Sequence, residues 1–113
     1  MSVIRIALAG AGAFGVKHLE ALQNVDGVEV VSLIGRELEK TRGVAEKFGI
    51  EHVTTNLDES LARKDVDAVI LCTPTQLHAA QGMACMRAGK HVQIEIPLAD
   101  SWADAQAVAR MQQ

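Results

Sequence analysis

The sequence predicts an α/β fold, a doubly wound parallel sheet with helices on both faces, from three observations. Short apolar runs rich in β-branched residues alternate with helical patterns along the chain. A glycine-rich turn follows the first run, and a second run returns within the ~30 residues of one strand–helix–strand unit. Alternating strands and helices imply a parallel sheet with right-handed crossovers. With the first strand where the strand order reverses, the predicted order is 3-2-1-4-5.

The first half of the chain is predicted to hold three strands, each followed by a helix. The strands are expected over residues 3–9, 28–34 and 52–54, because these runs are apolar enough to be buried in a sheet. Gly49 is expected to end the second helix, since glycine is the usual residue past a helix C-terminus. Asn56 is expected to cap a short third helix that runs through Ala62.

The second half continues the alternation with two more strands and two helices. Residues 68–72 form the most strand-like run, which the segment from Thr73 to Thr75 stops. Thr75 is expected to cap a helix over 76–87 that ends at Gly89. A fifth strand over 91–95 follows, and Ser101 opens a last helix that reaches the end of the sequence.

Composition limits the class of protein and of partner. With 113 residues, the chain is predicted to be one domain, 1–113. The hydrophobic fraction of 49%, the net charge of −3 and the aromatic fraction of 3% predict an ordinary globular chain that binds no nucleic acid. No apolar stretch is long enough to span a membrane. Cys72 and Cys85 lack C-x-x-C spacing, which predicts buried thiols in a reducing, cytoplasmic location.

The glycine-rich turn is the main functional signal. Gly10, Gly12 and Gly15 have the spacing G-x-G-x-x-G. The first glycine would make the tight turn, the second would let the backbone approach a pyrophosphate, and the third would let the helix pack on the strand. The helix N-terminus would then stabilise the bound phosphates. The motif predicts a dinucleotide site, and the alternative is a tight turn that binds nothing.

The end of the second strand predicts which dinucleotide is bound. NAD-binding versions of this fold have an Asp or Glu ~20 residues past the glycines, where it hydrogen-bonds the ribose 2′-hydroxyl. This chain has Gly35 there, followed by Arg36, whose planar guanidinium suits a phosphate. We therefore expect NADP rather than NAD. The competing carboxylate is Glu37, which would reach the ribose if the strand ended one residue later.

Three stretches carry a resemblance to a known family. His18 follows the glycine turn, the predicted fourth strand leads into CTPTQLH at 72–78, and AGKHV at 88–92 leads to EIP at 95–97. In these features the chain resembles the N-terminal domain of the Gfo/Idh/MocA family, named after glucose-fructose oxidoreductase and inositol dehydrogenase. The resemblance implies a Rossmann domain of an NADP-dependent dehydrogenase that takes a hydride from a hemiacetal or alcohol carbon. It also implies a small-molecule substrate, a missing C-terminal substrate domain, and a homo-oligomer at full length.

The resemblance also implies roles for individual residues. Gly12, Ala13 and Phe14 would offer backbone to the pyrophosphate, and Arg36 would take the 2′-phosphate. The remaining residues would border the riboses: Thr73, Pro74 and Thr75 on one side, and Glu95 and Pro97 at the nicotinamide.

Glu95 and His78 are the catalytic candidates. Glu95 closes an apolar strand at the predicted crevice, and His78 lies one turn into the helix above it. The family usually has Glu-Lys-Pro at 95–97, whereas this chain has Ile96 in place of the lysine. The resemblance therefore does not imply a lysine that acts on the substrate hydroxyl.

Two other functions remain open. The fold alone also permits a non-enzymatic NAD(P)-binding sensor or assembly module, or a domain for another ligand such as S-adenosylmethionine. The four histidines lie on separate predicted elements without the spacing of metal ligands, so no metal is expected.

Overall fold

The computed structural model describes residues 3–112 and shows five parallel strands in one sheet, in the order β3-β2-β1-β4-β5. This is the predicted strand order. Five helices alternate with the strands. The elements are β1 (Ile4–Ala9), α1 (Ala13–Leu22), β2 (Val28–Ile34), α2 (Leu38–Phe48), β3 (His52–Thr54), α3 (Leu57–Leu61), β4 (Ala68–Leu71), α4 (Thr75–Arg87), β5 (His91–Ile94) and α5 (Trp102–Met111).

The predicted strands agree with the observed ones to within a residue. β2 and β3 have the predicted bounds, β1 begins one residue later, and β4 and β5 each end one residue earlier. Backbone hydrogen bonding nevertheless continues one residue past the C-terminal ends of β4 and β5. Cys72 N donates to Ala9 O at 2.7 Å, and Glu95 N donates to Leu71 O at 3.1 Å. The side chains that follow β4 and β5 are thus held at fixed positions beside the sheet.

Four of the five residues predicted to cap or end a helix do so, among them Gly89, which follows α4 with φ +76°. Gly49 adopts φ +70° after α2, the Asn56 side chain accepts from Asp58 N at 3.0 Å, and the Ser101 hydroxyl accepts from Asp104 N at 3.1 Å. The prediction that Thr75 caps α4 is wrong. Pro74 occupies the N-cap position without a side-chain bond, and Thr75 is the first residue of the helix. Proline suits this position because its fixed φ leads directly into a helix.

The sheet is buried on both faces, as expected for parallel strands. Alternate residues of β1 point to opposite faces. Ile6 and Leu8 join one core with Leu19 and Leu33, whereas Ala7 and Ala9 join a second core with Ile34, Val69, Leu71 and Cys85. Each fully buried leucine stabilises the fold by about 1.5–3 kcal/mol. Within residues 3–112, no helix is both long and apolar enough to cross a lipid bilayer.

Candidate functional site

A crevice of about 760 Å³ opens above the carboxyl ends of the strands. It is lined by the turn at 10–12, the loop at 35–37, the first turns of α2, Thr55 after β3, and the loop at 72–74 with two side chains of α4. Parallel α/β sheets bind ligands at this edge, where the strand order reverses. The volume lies within the range of small-molecule sites.

The glycine turn brings the start of α1 into the crevice. Gly10 adopts φ +107°, and a Cβ on it would lie 2.5 Å from Cys72 O. A Cβ on Gly15 would lie 1.7 Å from Gly10 O, so only glycine lets α1 pack against the turn. Both positions require glycine for close approach of the backbone, as the motif predicts.

The N-terminus of α1 is free to hold an anion. Gly12 occupies the N-cap position with no side-chain cap bond, and α1 has no acidic residue in its first turn. A Cβ on Gly12 would meet nothing within 4 Å, so the space in front of this backbone is open to a ligand. Phe14 is 72% exposed and is not part of the crevice wall. These features fit a pyrophosphate on the helix N-terminus.

The loop after β2 brings Arg36 and Glu37 to the crevice wall and leaves no room for a side chain at 35. A Cβ on Gly35 would lie 1.9 Å from Thr41 Oγ1, and the Thr41 hydroxyl is fixed because it donates to Glu37 O at 2.7 Å. A side chain at 35 would therefore collide with Thr41. Arg36 is exposed and makes no ion pair with any described residue, whereas Lys40 Nζ lies 3.5 Å from Glu37 Oε2.

The loop after β4 forms the opposite wall. Thr73 and Pro74 line the crevice, and the Thr73 hydroxyl donates to Gln81 Oε1 at 2.5 Å. Thr75 is half-buried at the start of α4 and is not part of the crevice wall. Gln81 thus fixes the Thr73 side chain that faces the crevice.

His78 is buried beneath this loop. Its exposed fraction is 1%, and its ring nitrogens Nε2 and Nδ1 lie 2.8 Å from Thr73 O and 2.9 Å from Pro97 O. This burial argues against the predicted direct contact with cofactor or substrate. The ring instead joins the loop after β4 to the segment after β5.

Glu95 meets two side chains that come from other elements. His18 Nε2 on α1 and Glu95 Oε1 share a hydrogen bond of 2.5 Å, and both side chains are about one-third exposed or less, at 26% and 34%. The Cys72 thiol lies close by, and burial together with the Glu95 charge raises its pKa to about 11. The thiol is therefore protonated at neutral pH.

Sequence reasoning found the backbone of the site and missed several of its side chains. Of the predicted cofactor residues, the crevice wall includes Gly10, Gly12, Arg36, Thr73 and Pro74. The other predicted cofactor residues lie outside that wall, namely Ala13, Phe14, Gly15, Thr75, Glu95 and Pro97. The wall also includes side chains that were not predicted to contact the cofactor, among them Lys40, Thr41, Thr55, Leu77 and Gln81. Of these, only Thr55 directly follows a predicted strand, and that position was its available signal.

The fold and the crevice are those of a nucleotide-binding domain. The sequence profile of the Gfo/Idh/MocA family, described as an oxidoreductase family with an NAD-binding Rossmann fold, matches residues 4–113. The chain belongs to this family.

Individual relatives span a much longer chain. The sequence is 67% identical over 110 residues to 4-carboxy-2-hydroxymuconate-6-semialdehyde dehydrogenase of Sphingobium sp., which covers 97% of this chain and 35% of that protein. It is 33% identical over 101 residues to myo-inositol 2-dehydrogenase of Thermotoga maritima, covering 89% of this chain and 30% of that protein. The chain thus spans about a third of the length of these curated relatives.

Solved structures with bound cofactor share the fold. GenD2 from gentamicin A biosynthesis, in complex with NAD, superposes with a TM-score of 0.92 at 31% identity, over 98% of this chain and 32% of that chain. KijD10, a 3-ketoreductase from Actinomadura kijaniata in complex with TDP-benzene and NADP, has a TM-score of 0.89 at 32% identity, over 97% and 35%. One neighbour therefore holds NAD and the other NADP.

Proposed function

We propose that this chain is the cofactor-binding domain of an NADP-dependent dehydrogenase. The observation that carries the proposal is the loop after β2, where Thr41 fills the space of a carboxylate side chain at 35 and Arg36 is without an ion pair among residues 3–112. An exposed guanidinium at this place suits a 2′-phosphate, which it can hold through two parallel hydrogen bonds. NADP would supply hydride-accepting chemistry when bound.

The residues of the glycine turn would hold the rest of the cofactor. Backbone N–H groups of Ala13 and Phe14 would face the pyrophosphate, with Gly12 leaving room for it. Thr73, Pro74 and Thr75 would border the riboses, and Pro97 would lie beneath the nicotinamide. Glu95 would face the nicotinamide ribose with Oε2, since Oε1 is engaged by His18. His78 would act as a positioning residue for the segments that carry Thr73 and Pro97.

The proposed substrate is the hemiacetal form of 4-carboxy-2-hydroxymuconate-6-semialdehyde, in the breakdown of aromatic compounds such as protocatechuate. The support is the 67% identity to the dehydrogenase with that name. A hemiacetal carbon gives up hydride more readily than an ordinary alcohol carbon, which suits a chain with Ile96 where a lysine is usual. Glu95 would accept the hydroxyl proton.

The proposal also concerns the longer protein. A C-terminal domain would supply most substrate contacts and the surface for homo-oligomer formation, because relatives continue for about twice the length matched here. A cytoplasmic location would suit the two free thiols, Cys72 and Cys85. We expect residues 1–113 alone to bind nucleotide and to turn over little substrate.

Titration with NADPH and NADH, followed by cofactor fluorescence, tests the proposal. The wild-type chain should bind NADPH more tightly. Loss of a hydrogen bond to a charged group costs about 1.5–3 kcal/mol, so Arg36→Ala should weaken NADPH binding by roughly 10-fold or more and leave NADH binding within about twofold. Raising the salt concentration should reduce the NADPH advantage of the wild type, because exposed charges are screened.

Arg42→Ala is the matched control. Arg42 is an exposed arginine on α2 that pairs with Glu39 at 3.0 Å and does not line the crevice. Arg42→Ala removes the same charge as Arg36→Ala but at a position outside the crevice. It should therefore leave the preference for NADPH intact. Tighter binding of NADH, or an unchanged preference in Arg36→Ala, would contradict the assignment of NADP. Binding of neither nucleotide would favour a different ligand.

A further inference from the structure

We propose that His18 Nε2, Cys72 Sγ and the Glu95 carboxylate form a binding site for a zinc-like divalent cation. Among residues 3–112, these three side chains form one group whose potential ligand atoms all lie within 4.8 Å of one another. They come from three elements, namely α1 and the ends of β4 and β5. The histidines are not spaced like metal ligands along the sequence, and this group forms only because distant segments pack together.

The backbone holds the three residues in place. Cys72 N donates to Ala9 O at 2.7 Å, and Glu95 N donates to Leu71 O at 3.1 Å, so both residues continue the ladder of the sheet. His18 lies on α1, which is locked to the glycine turn by the contact of Gly15 with Gly10 O. A site on such rigid elements loses little conformational freedom when an ion binds.

The donor set selects the kind of ion. Imidazole nitrogen, thiolate sulfur and carboxylate oxygen are the three ligand types of zinc, and three protein ligands with one open position are typical of a reactive zinc site. Magnesium and calcium prefer oxygen ligands, so one carboxylate among nitrogen and sulfur does not suit them. The bound ion would replace the hydrogen between His18 and Glu95 and would displace the thiol proton of Cys72, as coordination of a thiol does.

The site is accessible to ions from solution. His18 and Glu95 keep 26% and 34% of their side chains exposed, and Cys72 is half-buried at the wall of the crevice. The fourth position would be taken by water. If the crevice binds NADP as proposed above, an ion here would lie at the nicotinamide end, so the ion and the nucleotide should exclude each other. This one consequence rests on the proposed function, whereas the ion site itself does not.

Titration with Co²⁺, a coloured substitute for Zn²⁺, tests the site without any activity measurement. The wild-type chain should develop a sulfur-to-cobalt charge-transfer band that saturates at one ion per chain and disappears when Zn²⁺ is added. Cys72→Ala should lose the band. Removing a residue that only hydrogen-bonds to a metal ligand typically weakens metal binding by roughly 10- to 100-fold. His18→Ala removes a ligand itself, so it should weaken Co²⁺ binding by more than that.

Cys85→Ala is the control, because Cys85 is the other thiol and is fully buried away from the cluster. It should keep the band with unchanged affinity, and circular dichroism checks that each variant is folded. A wild-type chain without the band at saturating Co²⁺ overturns the proposal, as does a band that survives Cys72→Ala. Prior addition of NADPH should abolish the band. A cobalt band with no NADPH binding would keep the ion site and reject the proposed function.

Discussion

Replacing Gly15 with alanine should lower the free energy of unfolding of the chain and displace the start of α1. A Cβ at 15 would lie 1.7 Å from Gly10 O and 2.9 Å from Gly10 C. Non-bonded heavy atoms prefer separations of about 3.5–4.0 Å, so α1 and the turn would have to separate by roughly 2 Å. Both partners are backbone, and no side chain can turn aside to relieve the contact.

The expected cost follows from this geometry. Overpacking costs about 1–3 kcal/mol, and a clash between backbones belongs at the upper end. Alanine offsets up to about 1 kcal/mol of this, because it is the better helix former. The net loss in the free energy of unfolding should be about 2 kcal/mol. With an m-value of about 1.5 kcal/mol per molar urea, the unfolding midpoint should fall by roughly 1 M.

Gly43→Ala is the matched control for this experiment. Gly43 also lies inside a helix, α2, but a Cβ there would meet nothing within 4 Å. The same substitution should therefore stabilise the chain by about 0.4–1 kcal/mol. Urea unfolding followed by circular dichroism compares the two variants. If Gly15→Ala unfolds at or above the wild-type midpoint, the packing of α1 on the turn does not require glycine and the reasoning fails.

Two further predictions concern titrating groups. The Asp67 carboxylate accepts from Arg5 N at 2.9 Å, and this hydrogen bond lowers the pKa of Asp67 below its usual value. Its contribution to stability should therefore be present above about pH 4 and vanish as the pH falls through the lowered pKa, so the Tm difference between wild type and Asp67→Asn should close in acid. A difference that stays the same from pH 7 down to the lowest pH at which both proteins remain folded would contradict this. The Cys72 thiol, whose pKa is about 11, should react slowly with iodoacetamide at pH 7 and faster as the pH approaches 11. Fast alkylation of Cys72 at pH 7 would show that burial and the Glu95 charge do not protect it.

Much of the fold could be predicted because local signals agree with the tertiary structure. The apolar runs, Gly49, Asn56 and Ser101 each act within a few residues of their own position, and each has the predicted role. The strand order followed from the alternation of elements and the glycine turn. Thr75 was assigned wrongly because threonine and proline both occur at helix starts, and only the backbone shows which of them precedes the helix.

Of the candidate site, only the part formed by backbone, the glycine turn, could be predicted from the sequence. Gly10 and Gly15 have a fixed mechanical role, so their spacing alone indicated the turn. The contact of Gly35 with Thr41, the burial of His78 and the meeting of His18 with Cys72 all depend on how distant segments pack. A pattern along the chain contains no information on these distances until the sheet order and the helix rotations are known.

The contact between Gly35 and Thr41 constrains how cofactor preference could change during evolution. A single substitution of Gly35 by aspartate would introduce a ribose-binding carboxylate and, at the same time, a collision with Thr41 Oγ1 and its neighbouring carbons. A smaller residue at 41 would have to come first, at the expense of the hydroxyl that holds Glu37 O. The two positions should therefore be epistatic: aspartate at 35 should be tolerated only beside a smaller residue at 41, in a chain with a loosened start of α2.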